Sequence, residues 1–195
     1  TDPIKMLMVA THNAIGNNEQ DNIKIAKNFL IELAETDTLY DSIGYYDVKK
    51  KPMCYAGGDV NAPCWIHQYA FARNAFASYM ITALWLKDEL NEQEFKIVDR
   101  YIEKMYKKFL KPIEFHKEEQ GFYQLANGGT AILVYASWTN NKKLAAKEIN
   151  FRFKEMNRLF YKDGYINNNS FRGTKAQHYH SMGLNIALGY VYIAD

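Results

Sequence analysis

The densest run of reactive side chains lies near the C-terminal end: Asn167, Asn168, Asn169, Ser170, Arg172, Lys175, His178, Tyr179 and His180. An arginine offers a planar, permanently charged fork that matches a carboxylate. A phenol ordinarily loses its proton near pH ~10, so Tyr179 works as a base near neutrality only with cations around it. Arg172, Lys175 and a neighbouring histidine are the residue types that would supply them. Together they suit proton abstraction from a carbon beside a carboxylate: the arginine neutralises the acid and the phenolate takes the proton. The tyrosine can then return that proton to a leaving oxygen. Arg172 and Tyr179 are seven residues apart, which puts them on one face of a helix that begins near Arg172. His178 and His180 are two apart, point to different sides and make a poor pair for zinc. The same residues also suit a plainer role: a polar helix start with a tyrosine hydroxyl at its rim.

The chemistry of the arginine and tyrosine is what β-elimination in a uronic-acid polymer requires. The segment Arg172-Gly173-Thr174-Lys175-Ala176-Gln177-His178-Tyr179-His180 resembles the Arg-Gly-x-x-Ala-x-His-Tyr-His segment of alginate lyases of polysaccharide lyase family 5, the poly(β-D-mannuronate) lyases. Asp163-Gly164 fits the Asp-Gly that this family carries shortly before its arginine. The match is sharp over about 20 residues, extends weakly over the two preceding helices and continues only as a pattern further back. The resemblance implies an all-α fold, an incomplete (α/α) toroid of antiparallel helix hairpins. It implies that Arg172 binds the uronate carboxylate and that Tyr179 is catalytic base and acid, with no cofactor and no metal.

The chain departs from the family at one motif. Where the family has Asn-Asn-His upstream of its arginine, this chain has Leu125-Ala126-Asn127-Gly128-Gly129. Asn127 would keep the carboxylate contact, and the histidine is replaced by glycine. His180, His67 and His12 are the candidates to stand in, with His180 and His67 preferred. Two further features fit an anionic polysaccharide. Tyr46 and Lys50 lie in Tyr45-Tyr46-Asp47-Val48-Lys49-Lys50-Lys51, where aromatics for sugar faces adjoin lysines for carboxylates. The same run also reads as a solvated charge cluster. Trp65 and His67 open the long apolar stretch that follows, and with Asn169 and His178 they complete the expected substrate contacts; a core role for Trp65 is equally open.

Helical periodicity runs through most of the chain and predicts the elements that must position these groups. Helices are expected over 21–34, 66–87, 92–109, 128–138, 141–160 and 175–193. The clearest stripe is Phe95, Val98, Tyr101, Ile102, Met105, Tyr106 and Phe109, ahead of Pro112. Ala145, Ile149, Phe153, Met156 and Phe160 mark the expected inner face of 141–160. The weak polarity of 66–87 predicts burial on more than one side. Gly121–Leu125 reads as a short extended piece. Residues 36–64, rich in Gly, Asp, Asn and Pro, read as a long loop and a candidate lid.

The 195 residues are expected to form one domain able to bury its own core, or a piece of a longer chain. Apolar residues at 48 % and charged residues at 24 % exclude a disordered chain. No apolar run reaches the roughly 18 residues of a membrane span. A net charge of +2 gives no case for nucleic acid. Cys54 and Cys64 are too few for a thiolate zinc site. They pair as a disulfide or remain buried thiols, and a disulfide would imply an oxidising compartment. Thr1 is read as following a removed leader or as an internal start. The expected setting is periplasmic or secreted, and the expected partner is an anionic polysaccharide, with neither nucleic acid nor membrane. The competing expectation is a binding module on a lyase-like scaffold.

Overall fold

A computed structural model describes residues 3–41, 65–110, 122–167, 170–171 and 173–195. For Pro3, Leu39, Asp41, residues 65–74, Phe109 and residues 122–128, only the backbone is described. The protein is all-helical: among the described residues the sole extended pairing is an isolated antiparallel bridge between Phe160 and Ile166. The chain divides into two compact units, Thr1–Pro112 and Ile113–Asp195.

In the first unit, α1 (Pro3–Gly16) packs on α2 (Gln20–Glu35) and on α4 (Trp65–Trp85), and α2 packs on α5 (Glu92–Met105). The one-turn α3 (Thr38–Asp41) opens the 36–64 segment, which the sequence predicts as loop. The rest of that segment, including Tyr46, Lys50, Cys54 and Cys64, lies outside the described residues. Residues 75–80 of α4 are all buried, so this helix is enclosed on several sides. Tyr79 sits at its centre, donating its hydroxyl to the Leu30 carbonyl at 3.0 Å and meeting Tyr101 edge to face at 5.0 Å. Burial, with Tyr101 alongside, pushes the Tyr79 phenol well above its ordinary range.

The start of α5 is set by local chemistry. The Asn91 side chain accepts from the backbone N–H of Gln93 and Glu94, and Glu94 returns a bond to the Asn91 N–H. This capping box satisfies donors that the helix leaves orphaned. Lys27 of α2 reaches the same carboxylate at 3.2 Å, tying cap to hairpin. The expected stripe buries Val98, Tyr101, Ile102 and Met105, as a period of three and four requires. Beyond Met105 the chain makes a π-helical turn, Tyr106–Leu110, instead of the continuous α-helix expected to 109.

The second unit holds α6 (Phe122–Trp138), α7 (Lys142–Leu159) and α8 (Ala176–Ala194), with α6 packed on both others. Phe122–Leu125 is helical, which corrects the extended reading of that piece and moves the start of α6 six residues ahead of the expected 128. Short apolar runs do not distinguish strand from helix, and packing on α7 and α8 decides it. Leu133, Met156, Leu159, Ile166 and Tyr190 form the buried cluster.

On α7 the expected Met156 is buried and Ala145 and Ile149 pack against the core, but the rest of the inner face differs from expectation. Phe153 and Phe160 are 37 % and 38 % exposed, whereas Glu148, Arg152, Glu155, Met156 and Leu159 are buried. The helix turns a polar line inward because Arg152 Nε meets Glu148 Oε2 at 2.9 Å, both side chains fully buried. Removing one partner of such a pair costs about 3–5 kcal/mol, so each holds the other in place.

Candidate functional site

The loop between α7 and α8 is built by the Asp-Gly pair of the motif. Gly164 adopts φ +86°, a conformation that strains any residue with a Cβ, and its N–H bonds to the Tyr161 carbonyl at 3.0 Å. Asp163 Oδ1 accepts from the Tyr165 N–H at 3.2 Å. Asn167 N–H then bonds back to the Leu159 carbonyl at 2.8 Å, and Ile166 drops fully buried into the core. The turn therefore folds the chain back onto the end of α7 and fixes where α8 begins.

Ser170 locks the next step. Its N–H donates to the Ile166 carbonyl at 3.0 Å, and its Oγ accepts from the Ile166 N–H at 2.9 Å. The same oxygen lies 2.8 Å from Nδ1 of His180 on the first turns of α8. Tyr179 is half-buried on that helix, and the exposed His178 stands edge-on to its ring at 5.4 Å. The described part of the expected site is thus a phenol with the His178 ring against it and, one residue on, an imidazole bonded to Ser170. The same loop carries an aromatic cluster: Phe171 stacks on Tyr165 at 5.7 Å and meets Tyr161 edge-on at 6.1 Å, all three exposed.

Arg172 and Asn169 lie outside the described residues, as do Tyr46 and Lys50. Asn127 falls on α6, two residues before Gly129. Gly129 crosses α8 at Tyr190, eleven residues beyond Tyr179 and so about 16 Å along the axis. The ring described against Tyr179 is that of His178, and only the backbone of Asn127 is described. Trp65 and His67 are in the first turn of α4, in the other unit, where their backbone alone is described. His12 is on α1 in that unit, its ring 5.1 Å from Trp85.

A second polar cluster escaped the sequence reading. Tyr190 is fully buried beside the Glu148–Arg152 pair, and its hydroxyl has no hydrogen-bond partner among the described residues. Burial pushes this phenol above its ordinary range, with Glu148 adding and Arg152 opposing. An Glu-x-x-x-Arg spacing reads as a solvated helix pair in sequence, and only its burial distinguishes it. Among the described residues no group of three His, Cys, Asp or Glu gathers to hold a metal, and no helix is long and apolar enough to cross a membrane. Comparison with protein families, curated proteins and solved structures returns no match for this chain.

Proposed function

We propose that this protein is a polysaccharide lyase that cleaves a uronic-acid polymer, alginate or poly-mannuronate, by β-elimination without a cofactor. The observation that carries the reading is the Arg172-to-His180 segment, with Tyr179 half-buried at the start of α8 and the His178 ring against it. In this reading Arg172 neutralises the uronate carboxylate, and the Tyr179 phenolate takes the proton from the carbon that bears it. The electron pair left behind forms a ring double bond as the bond to the glycosidic oxygen breaks. Tyr179 then returns the proton to that oxygen, which balances the step. Asn127 assists at the carboxylate, and His180 supplies the imidazole that Gly128 lacks. Asn169, His178, His67, Trp65, Tyr46 and Lys50 belong to the same proposal as contacts to the sugar chain.

The helix hairpins of both units suit an incomplete (α/α) toroid, and a polymeric acidic substrate places the reaction in the periplasm or outside the cell. The test is to mix the protein with alginate and follow the ultraviolet absorbance of unsaturated uronates. A steady rise supports the lyase. Retention on immobilised alginate with no rise would select a binding module on the same scaffold, the reading favoured by glycine at position 128. Neither signal would reject both.

A further inference from the structure

We propose that Ser170 is a positioning residue that holds His180 as the neutral tautomer protonated on Nε2, so that His180 acts as a hydrogen-bond donor and not as the base. The inference rests on the lyase reading for its catalytic consequence alone; the tautomer follows from hydrogen bonding.

A serine hydroxyl has one hydrogen to give and two lone pairs to receive. One lone pair of Ser170 Oγ is taken by the Ile166 N–H at 2.9 Å. The hydrogen needs an acceptor, and the acceptor beside it among the described residues is Nδ1 of His180 at 2.8 Å. Were Nδ1 protonated, it would donate to Oγ and leave the half-buried hydroxyl hydrogen without that acceptor, which costs free energy. The arrangement that uses every group has the hydroxyl donating to Nδ1 and the ring proton on Nε2. Which nitrogen of a histidine carries the proton is set by the bond its other nitrogen makes. Neutral His180 then offers an N–H to a carboxylate or hydroxyl of the sugar and has no lone pair free to take a proton. That leaves proton abstraction to Tyr179. Because Ser170 is also bonded to both backbone groups of Ile166, the buried anchor of the loop fixes the imidazole from outside its own helix.

The experiment is nitrogen-15 NMR of the histidine rings in the full chain above neutral pH, with alginate turnover measured in parallel. The expected spectrum shows an unprotonated Nδ1 and a protonated Nε2 for His180. Ser170→Ala should give a mixture of tautomers and lower kcat on the order of 10-fold, with KM little changed, as when a supporting bond to a functional histidine is lost. Ser170→Thr should restore both. A proton on Nδ1 in the wild-type protein would overturn the proposal, and so would a tautomer unmoved in Ser170→Ala. The wild-type spectrum decides even if that variant fails to fold. An Nε2 tautomer without any turnover of alginate would leave the positioning intact and reject the lyase, so the two failures are distinguishable.

Discussion

A Cβ on Gly129 of α6 would stand 2.4 Å from Cε2 of Tyr190 on α8 and 3.1 Å from Cγ of Arg152 on α7. Three helices thus meet at one hydrogen atom, and the obstacle is a buried ring rather than the free end of a flexible chain. The glycine pair that replaces the expected histidine motif begins beside this junction, so at position 129 glycine answers a packing demand.

Gly129→Ala should therefore destabilise the second unit, although alanine is the better helix former. Overpacking a filled core costs about 1–3 kcal/mol, against a propensity gain of about 1 kcal/mol. Urea denaturation should show a lower midpoint. An unchanged or raised midpoint would mean that the α6–α8 crossing is looser than described.

Tyr190→Phe should have the opposite sign. The hydroxyl it removes is buried with no partner among the described residues, and such a group costs free energy in the folded state. Stability is expected to hold or to rise by about 1 kcal/mol. A loss of more than that in the same denaturation assay would reveal a bond to this hydroxyl.

Glu94 predicts a pH dependence. Its carboxyl is held below the usual glutamate range, first by the Asn91 N–H and then by Lys27, against the opposing effect of burial. A lowered value means stabilisation that is complete above the ordinary glutamate pKa of about 4.3 and lost as pH falls through the folded value. Glu94→Gln should cost about 0.5–1 kcal/mol at pH 7. The gap to wild type should close at acid pH below the folded value. Thermal melts of both proteins across this range check it, and a gap that persists in acid would contradict the assignment.

Tyr179→Phe removes the ionisable hydroxyl and leaves the half-buried ring to fill its place. Helicity should survive in circular dichroism while alginate turnover falls about 10²–10⁴-fold, the usual loss with a general base. Arg172→Ala should raise KM and lower kcat together, because the carboxylate is neutralised in both ground and transition states. Full activity in Tyr179→Phe would rule out the phenolate as base.

The amino-acid pattern by itself determined the helical class and most helix positions. The expected helix over 21–34 buries Ile23, Ala26, Leu30 and Ala34, and the stripe ahead of Pro112 buries Val98, Tyr101, Ile102 and Met105, since a period near 3.6 leaves one face to hide. It did not determine α1, whose inner line of Ile4, Thr11 and Ala14 includes a buried hydroxyl and a small residue and so gives a weak apolar signal. It placed Ala145, Ile149 and Met156 on the inner face of α7 but missed its charged part, because charged residues read as solvent-facing until a partner neutralises them, and Glu148 meets Arg152 in a buried space shared with Tyr190 of α8. The motif around Tyr179 was legible as residue types. The bond from Ser170 to His180 was not: it spans ten residues and depends on a turn, closed by Gly164, that brings the loop back onto the helix. Local spacing specifies which side chains share one helix face, whereas burial and the meeting of separate elements depend on how the whole chain packs.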